Sequence, residues 1–278
     1  MSRAYRVRRL SKAVGAEVSG VDLGAELDVA LAAELRGLWL KAGVLVFPDQ
    51  RLDADGFVAV ARAFGEPMDY PFLKGLAGHP QITEVVKLEH ETINFGGVWH
   101  SDTTYLPEPP MATLLIAREV PPAGGDTLFA SQAAAYEALP EVLRRRLAGL
   151  GAVQSSAKAE VSRTREDRLR DQARSTTASV FEAVHPVVRT HPETGRKALF
   201  VNPAHTLRFE GLTEAESADL LADLHRHQVR PEFLCRVSWA LGTLAIWDNR
   251  QLLHFPVNDY HGQRRVMHRI TLKGDRPQ

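Results

Sequence analysis

The sequence predicts a mainly β fold, an antiparallel sandwich or barrel with added helices. Three observations carry that prediction. Short apolar runs bounded by turn residues dominate the second half, helical patterns are inserted among them without regular alternation, and no internal repeat or linker divides the 278 residues. A doubly wound sheet would need strands and helices to alternate.

From Asp28 to Ala42, Leu31, Leu35, Leu38 and Trp39 fall on one helical face behind an Asp28 cap, and Gly43 ends the helix. Gly43 to Phe47 reads as a short buried strand. A second helix spans Asp53 to Phe64 and stops at Gly65, and strands fit Ile82 to Leu88, Thr113 to Ala117 and Thr127 to Ala130. One helix is expected from Ser131 to Leu150. Residues 156–179 are charged and lack aromatic residues, the pattern of a solvated face or of a lid over a site. Val180 to Arg189 and Lys197 to Val201, around the turn at Pro192 to Gly195, look like a hairpin. A helix over 213–228 follows, then strands near Cys235 to Trp239, Thr243 to Trp247 and Val266 to Lys273.

Lys and Arg number 34 and Asp and Glu number 34, so the formal charge is zero with His neutral. That balance excludes a phosphate-neutralising stripe and with it nucleic acid as a partner. At 44% apolar and 24% charged residues, the chain fits a single domain over 1–278. Cys235 is the only cysteine, so a disulfide within the chain and a thiolate cluster are both excluded, and any metal must use His and carboxylate. Four arginines among residues 1–10 have no apolar run behind them, which predicts no secretory signal, no membrane span and a cytoplasmic setting.

His100-Ser-Asp102 places an imidazole and a carboxylate on the same side of an extended segment, where both can grip one ion. Alone the pattern is weak, because about one such match is expected by chance. Its force comes from His254 and from Arg265, 11 residues later. Two His and one carboxylate leave three metal positions open, the facial geometry of non-haem Fe(II) oxygenases, and a guanidinium can hold a carboxylate bidentately. The residues themselves leave open two alternatives, a zinc-type hydrolase using the same triad and a non-catalytic metal-binding jelly roll.

Trp99-His-Ser-Asp102, Pro109-Pro110, Gly124-Gly-Asp-Thr127, Leu199-Phe-Val-Asn202, Ile246-Trp-Asp-Asn-Arg250 with His254, and Arg264-Arg-Val-Met-His-Arg269 stand in a characteristic order. In these segments, which cover most of the chain, the sequence resembles the taurine dioxygenase and dichlorophenoxyacetate dioxygenase family of 2-oxoglutarate-dependent Fe(II) enzymes. The resemblance implies a double-stranded β-helix, the cupin-like jelly-roll core. It implies Fe(II) bound by His100, Asp102 and His254, with 2-oxoglutarate and O2 as cosubstrates. Thr127 and Arg265 would hold the distal carboxylate of 2-oxoglutarate. Succinate and CO2 would be released as a small substrate is hydroxylated, and Asp102 favours hydroxylation over halogenation.

Arg269 falls four residues after Arg265, an even spacing that keeps both side chains on one strand face. The family's taurine enzyme uses the matching Arg for its sulfonate, so an anionic substrate is expected, such as an aryloxyalkanoate, a sulfonate or a sulfate ester. Tyr70 and Leu73 replace a His and a Tyr of the taurine enzyme, and His205 replaces a Phe common in the pocket. Tyr70 and His205 are therefore expected to touch a different acid from taurine. His268 falls on the opposite strand face, Arg250 is expected in an ion pair, and the resemblance implies a homo-oligomer.

Overall fold

The computed structural model describes residues 5–70, 74–94, 96–161 and 180–278. Most of the expected lid, residues 162–179, and Leu73 lie outside the described residues. In chain order the strands are β1 (Arg6–Arg9), β2 (Ala16–Ser19), β3 (Val44–Phe47), β4 (Pro67–Met68), β5 (Ile82–Lys87), β6 (Ala112–Glu119), β7 (Thr127–Ser131), β8 (Gly151–Ser155), β9 (Glu182–Pro186), β10 (Val188–Thr190), β11 (Lys197–Leu199), β12 (Thr206–Phe209), β13 (Leu234–Val237), β14 (Leu244–Asp248), β15 (Leu252–Pro256) and β16 (Arg265–Leu272). The helices are α1 (Leu23–Glu26), α2 (Val29–Ala42), α3 (Ala54–Phe64), α4 (Gln132–Glu137), α5 (Glu141–Leu147) and α6 (Glu214–Gln228).

The helix ends follow local chemistry. Asp28 and Asp53 accept hydrogen bonds from Leu31 N and Gly56 N at 2.9 and 2.8 Å, and Thr213 with Glu216 forms a capping box on α6. The helix expected over 131–150 divides into α4 and α5. Pro140 disfavours helical backbone at the residue before it, so the chain turns there and restarts as α5. The expected hairpin survives only in part: β10 pairs with β11, whereas β9 turns away to pair with β8.

A large sheet runs β1-β2-β3-β14-β6-β16-β4, with β5 also on β16, and a second sheet runs β13-β7-β15. Alternation along the strands builds a core on each face of the large sheet. Leu45, Phe47, Leu114, Ile116, Leu244, Ile246, Ile270 and Leu272 pack against Leu31, Leu35 and Trp39 of α2 and Phe57, Val60, Ala61 and Phe64 of α3. Their in-between neighbours Val44, Val46, Leu115, Ala117, Ala245, Trp247 and Met267 meet Phe129, Cys235, Val237 and Leu252 of the second sheet. Burial on both faces explains the unbroken apolar runs of β3, β6 and β14. Cys235 is a filler in this layer, its thiol pushed up to about 12 by burial. Among the described residues no helix is long and apolar enough to cross a membrane.

Candidate active site

The inward face of the sandwich carries polar side chains at one end, and burial there demands a partner for each. His100 joins β15 through an isolated bridge to His254, with reciprocal backbone hydrogen bonds of 3.1 and 2.8 Å. Gly96 makes room for the His100 ring: its φ is +68°, and an added Cβ would lie 2.7 Å from the imidazole. After Asp102 the chain turns through Thr103 at φ +40°, a strained value for a β-branched residue that ends the extended segment at the carboxylate.

His100 Nε2 and His254 Nε2 lie 3.7 and 3.8 Å from Asp102 Oδ1, and one ligand atom from each of the three lies within 4.8 Å of the others. His100 Nδ1 is 2.7 Å from Val98 O; a carbonyl only accepts, so Nδ1 carries the proton and Nε2 keeps a lone pair. Burial pushes the His100 pKa down and drives His254 down to about 3, so both are neutral near pH 7. Burial alone would raise the Asp102 pKa, but the charges of His254, Arg269 and His100 and a hydrogen bond from Thr113 bring it to about 2. Of these, Arg269 is the permanent charge. His254 Nδ1 is buried without a hydrogen-bond partner among the described residues, none of which sets its tautomer. Two neutral imidazoles and a carboxylate, convergent and otherwise weakly partnered, are the donor set a divalent first-row metal takes.

A second ring of contacts aims the carboxylate. Thr113 Oγ1 on β6 donates to Asp102 Oδ2 at 2.5 Å, and Asn249 Nδ2 donates to Thr113 Oγ1 at 3.0 Å and more weakly to Asp102 Oδ2 at 3.4 Å. Trp247 Nε1 fixes Asn249 Oδ1 at 2.9 Å, and Ser101 Oγ donates to Asn249 O at 2.7 Å. Oδ2 is thereby committed and Oδ1 is left facing the two imidazoles. Sequence reading assigned Thr113 and Asn249 no role; the position of Asn249 inside Trp247-Asp-Asn-Arg250 is the signal that could have found it. Thr113→Val keeps the shape and removes the donor. It is expected to weaken metal binding about 10–100-fold, measured by competition with a chelator, while the melting temperature barely moves.

Thr127 on β7 and His254 on β15 share the inward face through the register His254↔Phe129 and Pro256↔Thr127. The Thr127 hydroxyl accepts from Trp239 Nε1 at 3.0 Å, and the Arg265 guanidinium lies 5.6 Å from the Trp239 ring. Gly125, at φ +73°, brings its backbone against both Arg265 and Tyr260, where an added Cβ would sit 3.5 Å from the Arg265 side chain. Arg265 is 6% exposed, and its Nε and Nη2 have no hydrogen-bond partner among the described residues. A buried guanidinium with donors left over fits a carboxylate ligand.

Arg269, also inward on β16, donates from Nε to Thr83 Oγ1 at 3.3 Å and stacks 4.3 Å above the Tyr70 ring. Met267 lies between the two arginines in the core, whereas His268 points the other way toward Arg118 and Glu84. Arg264 is half exposed beside Glu119 at 3.6 Å. His205 is buried, its ring 5.0 Å from Tyr105 and 6.3 Å from His100, and its Nδ1 lies 3.1 Å from Thr104 Oγ1. Trp247 and Phe129 pack against the His254 ring at 4.9 and 6.1 Å, and Trp99 stacks on Phe255.

Comparison with known proteins matches residues 6–271 to the family described as taurine catabolism dioxygenase TauD, TfdA family. An alpha-ketoglutarate-dependent sulfate ester dioxygenase of Pseudomonas putida is 35% identical, the match covering 95% of this chain and 88% of the relative. An (S)-phenoxypropionate/alpha-ketoglutarate-dioxygenase of Sphingobium herbicidovorans is 34% identical, over 99% of this chain and 97% of the relative. The crystal structure of a taurine dioxygenase from Burkholderia xenovorans superposes with a TM-score of 0.83 at 35% identity, covering 98% of this chain and 92% of that one. The expected jelly-roll core is therefore the observed fold.

Proposed function

Because the chain belongs to the taurine catabolism dioxygenase TauD, TfdA family, we propose that His100, Asp102 and His254 hold its Fe(II) and that Thr127 and Arg265 hold the distal carboxylate of 2-oxoglutarate. The chain is a 2-oxoglutarate-dependent non-haem iron dioxygenase, with Fe(II), 2-oxoglutarate and O2 as its cofactors. Together these supply an oxidant that inserts one oxygen atom into a substrate C–H bond, the other leaving in succinate beside CO2. The observation that carries the assignment is the convergence of His100 Nε2, Asp102 Oδ1 and His254 Nε2 in a buried site. No observation favours the hydrolase or the non-catalytic alternative, neither of which needs the leftover donors of Arg265.

In this reading each side chain has a physical task. Thr113 and Asn249 aim the Asp102 carboxylate, Phe129 and Trp247 wall the His254 ring from water, and Arg265 fixes the cosubstrate as a planar, permanently charged fork. Arg269 meets an anionic group of the substrate, with Tyr70 and His205 shaping the pocket around it. The substrate is a small organic anion of the sulfate ester, sulfonate or aryloxyalkanoate type, the classes named for the relatives. Hydroxylation at the carbon bearing the heteroatom would release that group. The same reading takes residues 1–278 as a single domain that works as a cytoplasmic homo-oligomer, by analogy with the family.

The test is succinate release over a panel of alkyl sulfates, sulfonates and aryloxyalkanoates, each beside an uncharged analogue. At least one anion is expected to stimulate turnover and its neutral analogue not to. Arg269→Leu is expected to raise KM for that anion at least about tenfold, and equal turnover of charged and uncharged members would sink the substrate assignment.

A further inference from the structure

We propose that Lys87 is a second cation of the pocket that receives the distal carboxylate of 2-oxoglutarate, standing beside Arg265 so that the site selects dicarboxylic over monocarboxylic keto acids. The proposal rests on the reading of Arg265 given above. The β5/β16 ladder pairs Lys87 directly with Arg265. Directly opposed residues of antiparallel strands point to the same face, with Cβ atoms about 5 Å apart. Both are buried, at 5% and 6% exposure. The Lys87 Nζ donates to Asn258 Oδ1 at 2.8 Å and sits 4.0 Å above the Tyr260 ring, two contacts that favour an ammonium over an amine. Tyr260 in turn lies beside Arg265 and donates to Asn94 Oδ1 at 2.9 Å.

What the pair lacks among the described residues is an anion in contact with it. Among the described residues neither Lys87 nor Arg265 forms an ion pair, and the carboxylates whose fields reach them, Glu91 and Asp259 at Lys87 and Asp126 at Arg265, are engaged elsewhere. Asp126 accepts from Arg236 Nε at 2.5 Å and from Ser238 Oγ at 3.0 Å. Glu91 accepts from Leu88 N at 2.8 Å, while Asp259 accepts from Gly125 N at 2.7 Å and lies 3.7 Å from Arg236. Burying a cation without a counter-charge is costly, and burying two side by side is more so. An arrangement that breaks this rule marks a place where a ligand supplies the missing charge. A neutral donor would serve the Asn258 contact as well, and the Tyr260 ring, which carries no net charge, supplies no counter-ion. These contacts explain how Lys87 is held, not why it is charged.

The experiment titrates Fe(II)-loaded protein, without oxygen, with 2-oxoglutarate and separately with pyruvate, which has the keto acid end but no distal carboxylate. Lys87→Gln, which can still donate to Asn258, is expected to bind 2-oxoglutarate about tenfold more weakly or worse and pyruvate within about twofold of wild type. Lys87→Arg is expected to stay near wild type for both, and Lys87→Met serves if the Gln variant folds poorly. Equal weakening of both keto acids would make Lys87 a structural clamp and overturn the proposal, as would unchanged affinity for 2-oxoglutarate. Wild-type protein unable to prefer 2-oxoglutarate over pyruvate would overturn instead the reading of Arg265 on which the proposal stands.

Discussion

Arg265→Ala is expected to abolish 2-oxoglutarate binding while leaving metal binding intact. The guanidinium is buried at 6% exposure and hydrogen-bonds Tyr260, while among the described residues its Nε and Nη2 are unpartnered, so those two donors are available to a ligand. A bidentate, desolvated pair between Arg and carboxylate contributes enough that its loss weakens binding at least about a hundredfold. The measurement is an anaerobic titration with Fe(II) and 2-oxoglutarate, following the visible charge-transfer band of a keto acid chelated to the metal. The band is expected to vanish in Arg265→Ala at concentrations that saturate the wild type, while chelator competition returns the same metal affinity. Arg265→Lys is expected to restore little, because a point charge does not reproduce the fork. Affinity for 2-oxoglutarate within about threefold of wild type would remove Arg265 from the cosubstrate site.

Asp248→Ala is expected to cost about 3–5 kcal/mol of stability, since removing one partner of a buried ion pair leaves the other uncompensated. Asp248 is fully buried and takes hydrogen bonds from Arg250 Nε and Nη2 at 2.8 and 2.9 Å, from His191 Nε2 at 2.8 Å and from Gln251 Nε2 at 3.2 Å. His191 Nδ1 accepts from Glu193 N and Thr194 N, which places its proton on Nε2 facing Asp248. Arg250 continues to Glu193 at 2.8 Å, and Glu193 to Arg36 of α2, so the loss would free the 191–195 turn from the sandwich. The expected fall in melting temperature is about 10 °C or more. Asp248→Leu combined with Arg250→Met, which removes both charges, is expected to lose less than Asp248→Ala alone. A loss below about 1 kcal/mol in Asp248→Ala would show that the pair is not what fastens this turn.

The same carboxylate gives a pH signature with a definite sign. Burial alone would raise the Asp248 pKa, but the hydrogen bond from His191 and the charge of Arg250 hold it well below the ordinary range. Its contribution is thus complete above the unfolded value of about 3.9 and is lost as pH falls toward the folded one. Wild-type stability should therefore drop more steeply in acid than that of Asp248→Asn.

Local chemistry made much of this protein legible. Asp28, Asp53 and Thr213 with Glu216 mark helix starts because a side-chain oxygen can satisfy the first free N–H groups wherever the chain goes next. The period of two along a strand put Arg265 and Arg269 on one face and His268 on the other, as β16 shows. His100, Asp102 and His254 could be singled out because they stand among the ordered motifs that carry the resemblance to the family, and the fold brings the three within 4.8 Å. Pro140 shows where a helical pattern overreached: the apolar spacing continues through it, but the backbone cannot. What only the tertiary structure decided is which side chains meet across long sequence separations. The pairings Thr113 with Asp102, Asn249 with Thr113 and Lys87 with Arg265 depend on strand register, set by the packing of both sheet faces at once. Lys87 in isolation reads as a solvated surface residue. Only its place opposite Arg265, buried and without a carboxylate partner among the described residues, makes it a candidate for binding.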